Sequence, residues 1–236
     1  MIMATELETK IKEIIPRTEN VKSFRLEAGE NIDYKAGQFL YVSLKTEKEC
    51  RRYLSISSSP TERGYIEFTK KITQSDFSMA LNSLKPGDPL IVKYPMGNFT
   101  LKSDYKKIAF LSGGIGITPI RSMAKFAVDS KLDIDMILVY ANRSIKDIVF
   151  KEDFDIMQKQ HPKLKVAHVL CESAPGFKCV VGLISAQVIK NEIPDYPQRK
   201  FYICGPPLML EAMQRILTEE LLLPNENIIT EKFIGY

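Results

Sequence analysis

Near residue 103 the hydrophobic pattern of this chain changes character, and few folds accommodate both halves. Up to that point short alternating stretches recur between turn signals; beyond it, continuous apolar runs alternate with longer segments of helical period. The first half predicts strands over 5–15, 21–27, 38–44, 51–57, 65–71 and 89–93, separated by Ala28-Gly29, Ala36-Gly37, the stretch 60–64 and Lys85-Pro86-Gly87-Asp88. One helix over about 75–83 interrupts them, with Phe77, Ala80, Leu81 and Leu84 at helical spacing. Six short strands so spaced predict an antiparallel barrel or sandwich.

The second half predicts strands over 107–112, 135–141, 164–170, 200–204 and 228–233, with helices over 119–129, 150–160, 185–193 and 208–222 between them. Runs such as Met136-Ile137-Leu138-Val139 suit parallel strands buried on both faces. The alternation is that of a doubly wound α/β domain. The expected units are therefore 1–103 and 104–236.

Composition narrows the chemistry. The 33 basic and 29 acidic side chains leave only +4, too even a balance to argue for nucleic acid. No apolar stretch approaches the roughly 18 residues of a membrane-spanning helix. The first twelve residues alternate charges instead of forming a signal-peptide core, so a cytosolic address is expected. Cys50, Cys171, Cys179 and Cys204 form no C-x-x-C pair, and His161 and His168 are the only histidines. Iron–sulfur and zinc sites need closely spaced ligands, so no metal is expected, and any redox chemistry must come from an organic cofactor.

Three motifs stand out. Ser112-Gly113-Gly114-Ile115-Gly116-Ile117-Thr118-Pro119 follows the first strand of the second half. Glycines let backbone approach a ligand, Thr118 suits an N-cap and Pro119 a first helical position, so the turn aims N–H groups at a pyrophosphate. Read plainly, it is a glycine turn serving chain geometry. Phe201-Tyr202-Ile203-Cys204-Gly205-Pro206-Pro207 ends another strand, placing Cys204 at the edge where α/β sheets bind ligands; a buried structural thiol is the plainer alternative. In the barrel half, alternation along Arg51-Arg52-Tyr53-Leu54-Ser55-Ile56-Ser57-Ser58 sets Arg52, Leu54 and Ile56 against Tyr53, Ser55 and Ser57. An arginine fork suits phosphate and a serine hydroxyl suits a ring nitrogen, though solvated arginines on an edge strand are the default.

Taken in order, these pieces resemble the ferredoxin-NADP reductase superfamily. The resemblance is carried by Ala36-Gly37-Gln38-Phe39, Arg52-Tyr53-Leu54-Ser55-Ile56-Ser57-Ser58, Leu84-Lys85-Pro86-Gly87-Asp88, Tyr94-Pro95-Met96-Gly97-Asn98-Phe99, Gly113-Gly114-Ile115-Gly116-Ile117-Thr118-Pro119 and Cys204-Gly205-Pro206-Pro207. It implies a six-stranded Greek-key FAD barrel, then an α/β domain for NADH or NADPH, with flavin in the cleft between. It also implies that Arg52 binds flavin phosphate and that Ser55 lies near flavin N5. The family's aromatic position falls on Leu54 in the Arg52 frame and on Tyr53 in the Arg51 frame; the Arg52 frame keeps the serines. Ser75, Phe77 and Ser78 match the phosphate-binding helix start, although the family's double glycine is absent and Asp76 sits there. Thr69, Lys70, Lys71 and Ile72 are expected along the flavin.

A flavin-covering aromatic is implied at Phe233 or Tyr236. Coenzyme choice is expected at Tyr140-Ala141-Asn142-Arg143-Ser144. Arg143 and Ser144 suit a 2′-phosphate, while the string with Asp147 and Glu152 resembles NADH users, which tilts the expectation to NADH. The implied activity is electron transfer from NAD(P)H to a separate acceptor such as ferredoxin, flavodoxin or an oxygenase component. A flavin subunit of a larger complex, and a nucleotide-binding module that has lost catalysis, remain alternatives.

Overall fold

The computed structural model describes residues 4–29, 32–44, 50–102 and 104–231. Phe233 and Tyr236, the two expected flavin-covering aromatics, lie outside these, as does the expected boundary residue Ser103.

In the first half, β3 (Phe39–Leu44) shows how the barrel is specified: Leu40, Val42 and Leu44 are buried while their alternate neighbours are half-exposed. The other strands of its sheet are β1 (Thr5–Thr18), β2 (Val21–Glu27), β4 (Cys50–Ser55), β5 (Tyr65–Lys71) and β6 (Pro89–Met96), in the antiparallel order β4-β3-β6-β1-β2-β5. β1 is longer than the sequence suggests because it serves two partners. Thr5–Lys10 pairs with β6 and Ile11–Thr18 with β2, with a register shift between Ile11 and Glu13. A bridge between Ile56 and Phe68 joins the ends of the sheet. The inward side chains, among them Phe24, Leu26, Val42, Ile66 and Phe68, form one core with Phe77 and Leu81 of α1 (Asp76–Ser83).

The second half is a parallel sheet: β7 (Lys107–Gly113), β8 (Asp135–Asn142), β9 (Leu164–Leu170), β10 (Val180–Val181), β11 (Lys200–Cys204) and β12 (Ile228–Thr230), in the order β10-β9-β8-β7-β11-β12. Alternation splits it between two cores. Phe110, Leu138, Tyr140 and Tyr202 face α2 (Ile117–Asp129) and α3 (Lys151–Gln160). Leu111, Val139, Val169 and Ile203 face α4 (Ala186–Glu192) and α5 (Pro207–Arg215). The first of these cores also takes in Val21, Ala36 and Phe99, so apolar packing continues from barrel to α/β domain.

Three local expectations are corrected. α2 begins at Ile117 with Gly116 as its N-cap, so Thr118 is no cap: its hydroxyl donates to Ile115 O at 3.1 Å, and Pro119 is the third helical residue. β4 ends at Ser55; beyond it Ile56 bridges to Phe68 of β5, and the carbonyls of Ser57 and Ser58 turn to accept from Arg121 and Ser122 of α2. The last long helix is not continuous to Leu222; a π-helical turn, Ile216–Glu220, follows α5. The short edge strand β10 has no counterpart in the sequence reading. No helix among the described residues is long and apolar enough to cross a membrane.

Candidate functional site

The α/β sheet reverses its strand order between β7 and β11, the switch point at which open sheets bind ligands beyond their carboxyl ends. Both glycine turns lie there and touch. A Cβ on Gly116 would collide with the carbonyl of Cys204, and one on Gly113 with the sulfur of Met209. Tyr140, buried on β8, donates its hydroxyl to Gly114 O at 3.0 Å and holds the turn in place. Beyond the turns opens a cavity of 570 Å³. Its floor is Gly113, Gly114 and Pro206; its far wall is Asn142, Arg143 and Asp147; Leu183 and Leu208, 77% and 81% exposed, stand at its rim. The near wall comes from the barrel, through Thr18, Asn20, Val21 and Lys71. The cavity therefore spans both halves of the chain.

Asn142 is only 8% exposed, and among the described residues neither its amide nitrogen nor its oxygen makes a well-formed hydrogen bond, although the Tyr140 hydroxyl lies near. A buried polar pair left unpaired beside a cavity is a cost that a ligand with both donor and acceptor removes. Ser144 is differently employed: its hydroxyl and its N–H both donate to Asp147 Oδ2, at 2.8 and 3.1 Å. It does not line the cavity, whereas Asp147 does. Thr118, Pro119, Gly116, Gly205 and Pro207 also stand outside the lining; they shape the turns.

On the barrel, Arg52 lies over the Phe77 ring at 5.7 Å and donates to Arg51 O at 2.7 Å. Lys70 is held below its usual range by burial and by the nearby Arg52 charge, and its ammonium donates to Lys71 O. Among the described residues neither cation is paired with a carboxylate. Beside them Ser75 caps α1, accepting from Ser78 N at 3.4 Å, while Thr73 Oγ1 sits 3.1 Å from both the Ser75 and Ser78 hydroxyls. Two unpaired cations, three hydroxyls and a helix N-terminus make an anion cradle. Ser55, two residues beyond Tyr53, has a fully buried hydroxyl with no partner among the described residues. This orphan, with the cradle, is what a phosphate-bearing heterocyclic cofactor would satisfy, so the residues present fit FAD.

Residues 7–101 match the oxidoreductase FAD-binding domain family and residues 110–215 the oxidoreductase NAD-binding domain family. The chain belongs to the ferredoxin-NADP reductase superfamily. It is 31% identical over 216 residues to the glycine betaine monooxygenase reductase subunit of Pseudomonas aeruginosa, covering 86% of this chain and 58% of that protein. It is 33% identical over 170 residues to NADH-cytochrome b5 reductase 1 of Dictyostelium discoideum, covering 70% and 59%. The chain thus spans about six-tenths of the length of these curated relatives. A ferredoxin NADP+ reductase of Neisseria gonorrhoeae, solved with FAD and NADP, superposes with a TM-score of 0.81 at 19% identity over 96% of this chain and 98% of that one, and so shares the fold.

Within this superfamily member the residues expected at the flavin divide. Arg52, Lys70, Ser75, Ser78 and Ser55 gather as described. Phe77 is instead buried in the barrel core and serves as a platform for Arg52. Thr69 is tied to the Ser23 and Ser57 hydroxyls at 2.7 and 2.8 Å, and Ile72 packs on the barrel core. Lys71 points away from Lys70, as strand alternation requires, and lines the cavity between the two halves. Leu54 packs on the barrel core, while Tyr53 stands out, 49% exposed, against Phe39 and Tyr41. Cys204 is completely buried and absent from the cavity lining; burial pushes its thiol well up, and the neighbouring Glu231 adds to that, so it stays protonated.

Two contributors escaped the sequence. Cys171 lines the cavity, brought there by its N–H donating to Asn142 O and Arg143 O, a long-range contact with no local signature. Glu231, just beyond β12, is pushed up to about 7 by burial. A carboxyl with that value beside a thiol marks a site candidate, though only folded burial reveals it.

Proposed function

We propose that this chain is an FAD-dependent NAD(P)H reductase that passes electrons to a separate acceptor protein, with NADH as the preferred coenzyme. One observation carries the reading: the coenzyme cavity is walled on one side by the glycine turns and on the other by the barrel that carries the orphaned Ser55 and the Arg52–Lys70 cradle. A bound flavin supplies the chemistry, accepting two electrons as hydride and releasing them singly. The chain supplies the arrangement. Arg52, Lys70, Ser75 and Ser78 hold the flavin phosphates, the outward Tyr53 flanks its ring with Leu54 supporting the strand from the core side, and Ser55 meets a ring nitrogen. Gly113, Gly114 and Ile115, in the turn that leads into α2, receive the coenzyme diphosphate, with Lys71 opposite. Glu231 keeps a proton available behind the turns, and Cys204 packs beside it as a neutral thiol.

The preference for NADH rests on Asp147, whose charge in the cavity repels a 2′-phosphate, and on Ser144, whose hydroxyl is already committed. Similarity to a protein named NADH-cytochrome b5 reductase supports it. The acceptor class is an oxygenase component or a small electron carrier, supported by similarity to a monooxygenase reductase subunit. That same similarity favours a second reading, a reductase subunit working inside a larger assembly. A cytosolic setting and a division near residue 103 complete the proposal.

Anaerobic mixing of FAD-loaded protein with NADH and with NADPH tests it, read by the flavin absorbance near ~450 nm. Fast bleaching with NADH and slow bleaching with NADPH is expected. Protein that binds no FAD, or FAD that neither coenzyme bleaches, overturns the reading. Multiple turnover with artificial acceptors by the isolated chain would count against obligatory assembly.

A further inference from the structure

Arg121, on α2 one turn beyond the glycine turn, is 4% exposed and has every guanidinium nitrogen engaged. Nη1 donates to Ser57 O at 3.1 Å and to Glu62, Nη2 to Glu62 at 3.1 Å, and Nε to Asp153 on α3 at 3.0 Å. Ser57 and Glu62 belong to the barrel half and Asp153 to the α/β half. The next residue adds a further bond of the same kind, from Ser122 Oγ to Ser58 O at 2.6 Å. Arg121 overrides the burial that would lift the Glu62 carboxyl, holding it below the usual range.

A second guanidinium joins from the barrel. Phe150, the residue before α3, is buried with φ at +62°, a conformation costly for a bulky aromatic unless its surroundings impose it. Its ring carries Arg121 at 5.5 Å and Arg17 of β1 at 4.8 Å. Arg17 is anchored in turn to Ser23 at 2.8 Å and to the buried Glu67 at 3.3 Å.

The sequence neighbours of these groups are the lining of both half-sites. Thr18 follows Arg17 and Val149 precedes Phe150, and both line the coenzyme cavity. Ser57 lies two residues beyond the orphaned Ser55. Replacing a buried ion cluster by apolar groups is often neutral or stabilising, so stability alone does not explain a guanidinium here. What its fork adds is direction, since five N–H groups in one plane fix several partners at once.

On the reductase reading above, we propose that Arg121 is a positioning residue: through Glu62, Ser57 and the Phe150 ring it sets the register of the coenzyme cavity against the flavin strand, and thereby the hydride-transfer distance. A displacement of about 1 Å at reacting atoms can cost around a hundredfold in rate.

The test uses FAD-loaded protein carrying Arg121→Lys, and the apolar pair Arg121→Met with Glu62→Leu in case a lone change leaves a charge stranded. Single-turnover reduction by NADH gives a limiting rate and an apparent Kd, and hydrogen exchange reports the amides of 57–62. The expected result is a limiting rate lower by about tenfold in the lysine variant and by up to about a hundredfold in the apolar pair. FAD content and NADH Kd should stay within about twofold, and exchange over 57–62 should quicken. Unchanged limiting rates with quickened exchange overturn the proposal, as does loss of FAD or of NADH affinity in step with the rate, which is the mark of a merely structural role. Unaltered protein that fails to bleach overturns the reductase reading itself; unaltered protein that bleaches, beside variants that match it, overturns Arg121 alone.

Discussion

The barrel cradle offers an anion side chains: the Arg52 guanidinium, the Lys70 ammonium and the hydroxyls of Thr73, Ser75 and Ser78. The coenzyme side offers chiefly backbone, at two glycine turns packed too closely to admit a Cβ and at the start of a helix. Backbone sites tolerate no side chain but are indifferent to much of the surrounding sequence, whereas side-chain sites tolerate shifts of backbone but depend on charge. The two halves should therefore fail differently. Steric change should damage the coenzyme side most, and charge change the barrel side.

The largest expected loss follows from Gly116→Val. The added carbons meet the Cys204 carbonyl and the Gly205 backbone, neither of which can swing aside as a side chain could. Overpacking of this kind costs up to about 3 kcal/mol, or about a hundredfold in coenzyme-driven flavin reduction. FAD content should be retained, since the cradle lies on the other half. Loss of FAD together with the rate would break the comparison.

Arg52→Ala should do the reverse. A hydrogen bond to a charged group contributes about 1.5–3 kcal/mol, so FAD Kd, followed by quenching of flavin fluorescence, should rise by about ten- to a hundredfold. Titration of the FAD-free protein with NAD+ should give an unchanged affinity. Lysine at this position should restore charge without the fork, and so only part of the affinity.

Ser55→Ala separates binding from catalysis within the barrel half. Its hydroxyl is buried without a partner, a cost of about 1–3 kcal/mol in the FAD-free protein, so removing it should leave the melting temperature unchanged or raise it. The limiting rate of flavin reduction should nevertheless fall, by about the tenfold that one lost hydrogen bond at a reacting group represents. A lower melting temperature in the FAD-free variant would show that the hydroxyl has a structural partner.

How much was legible follows the same division. The glycine turns could be read directly, because strand, turn and helix start are contiguous and glycine leaves a visible mark. Ser75 at a helix start was legible for the same reason, and the structure makes it the cap. What escaped depends on contacts between distant parts of the chain. Lys70 and Lys71 look equivalent in sequence, yet strand alternation sends one to the Arg52 cradle and the other to the coenzyme cavity. Phe77 reads as a ligand contact and is a core residue. Thr118 reads as a cap because it precedes a proline, but Gly116 meets the second glycine turn and starts the helix early. Cys171 reaches the cavity through bonds to the carbonyls of Asn142 and Arg143, nearly thirty residues away, which no local pattern encodes.

Glu231 gives the prediction with the sharpest sign. Burial raises its carboxyl from 4.5 to about 7. The folded state therefore holds the proton more tightly than the unfolded chain. Stability from this group is fullest below about pH 4.5, declines as pH rises toward 7, and is lost beyond it. Glu231→Gln removes that slope without removing the hydrogen-bonding atoms. Melting curves of parent and variant should coincide at pH 4.5 and separate progressively up to pH 7, with the variant the more stable above it. If the carboxyl also keeps a proton available during reduction, the rate profile of the parent should bend near pH 7 and that of the variant should not. Parallel melting curves across the whole range would mean that the carboxyl reaches solvent. The coenzyme half would then owe nothing to a titrating side chain, and the contrast with the charged cradle of the barrel would be complete.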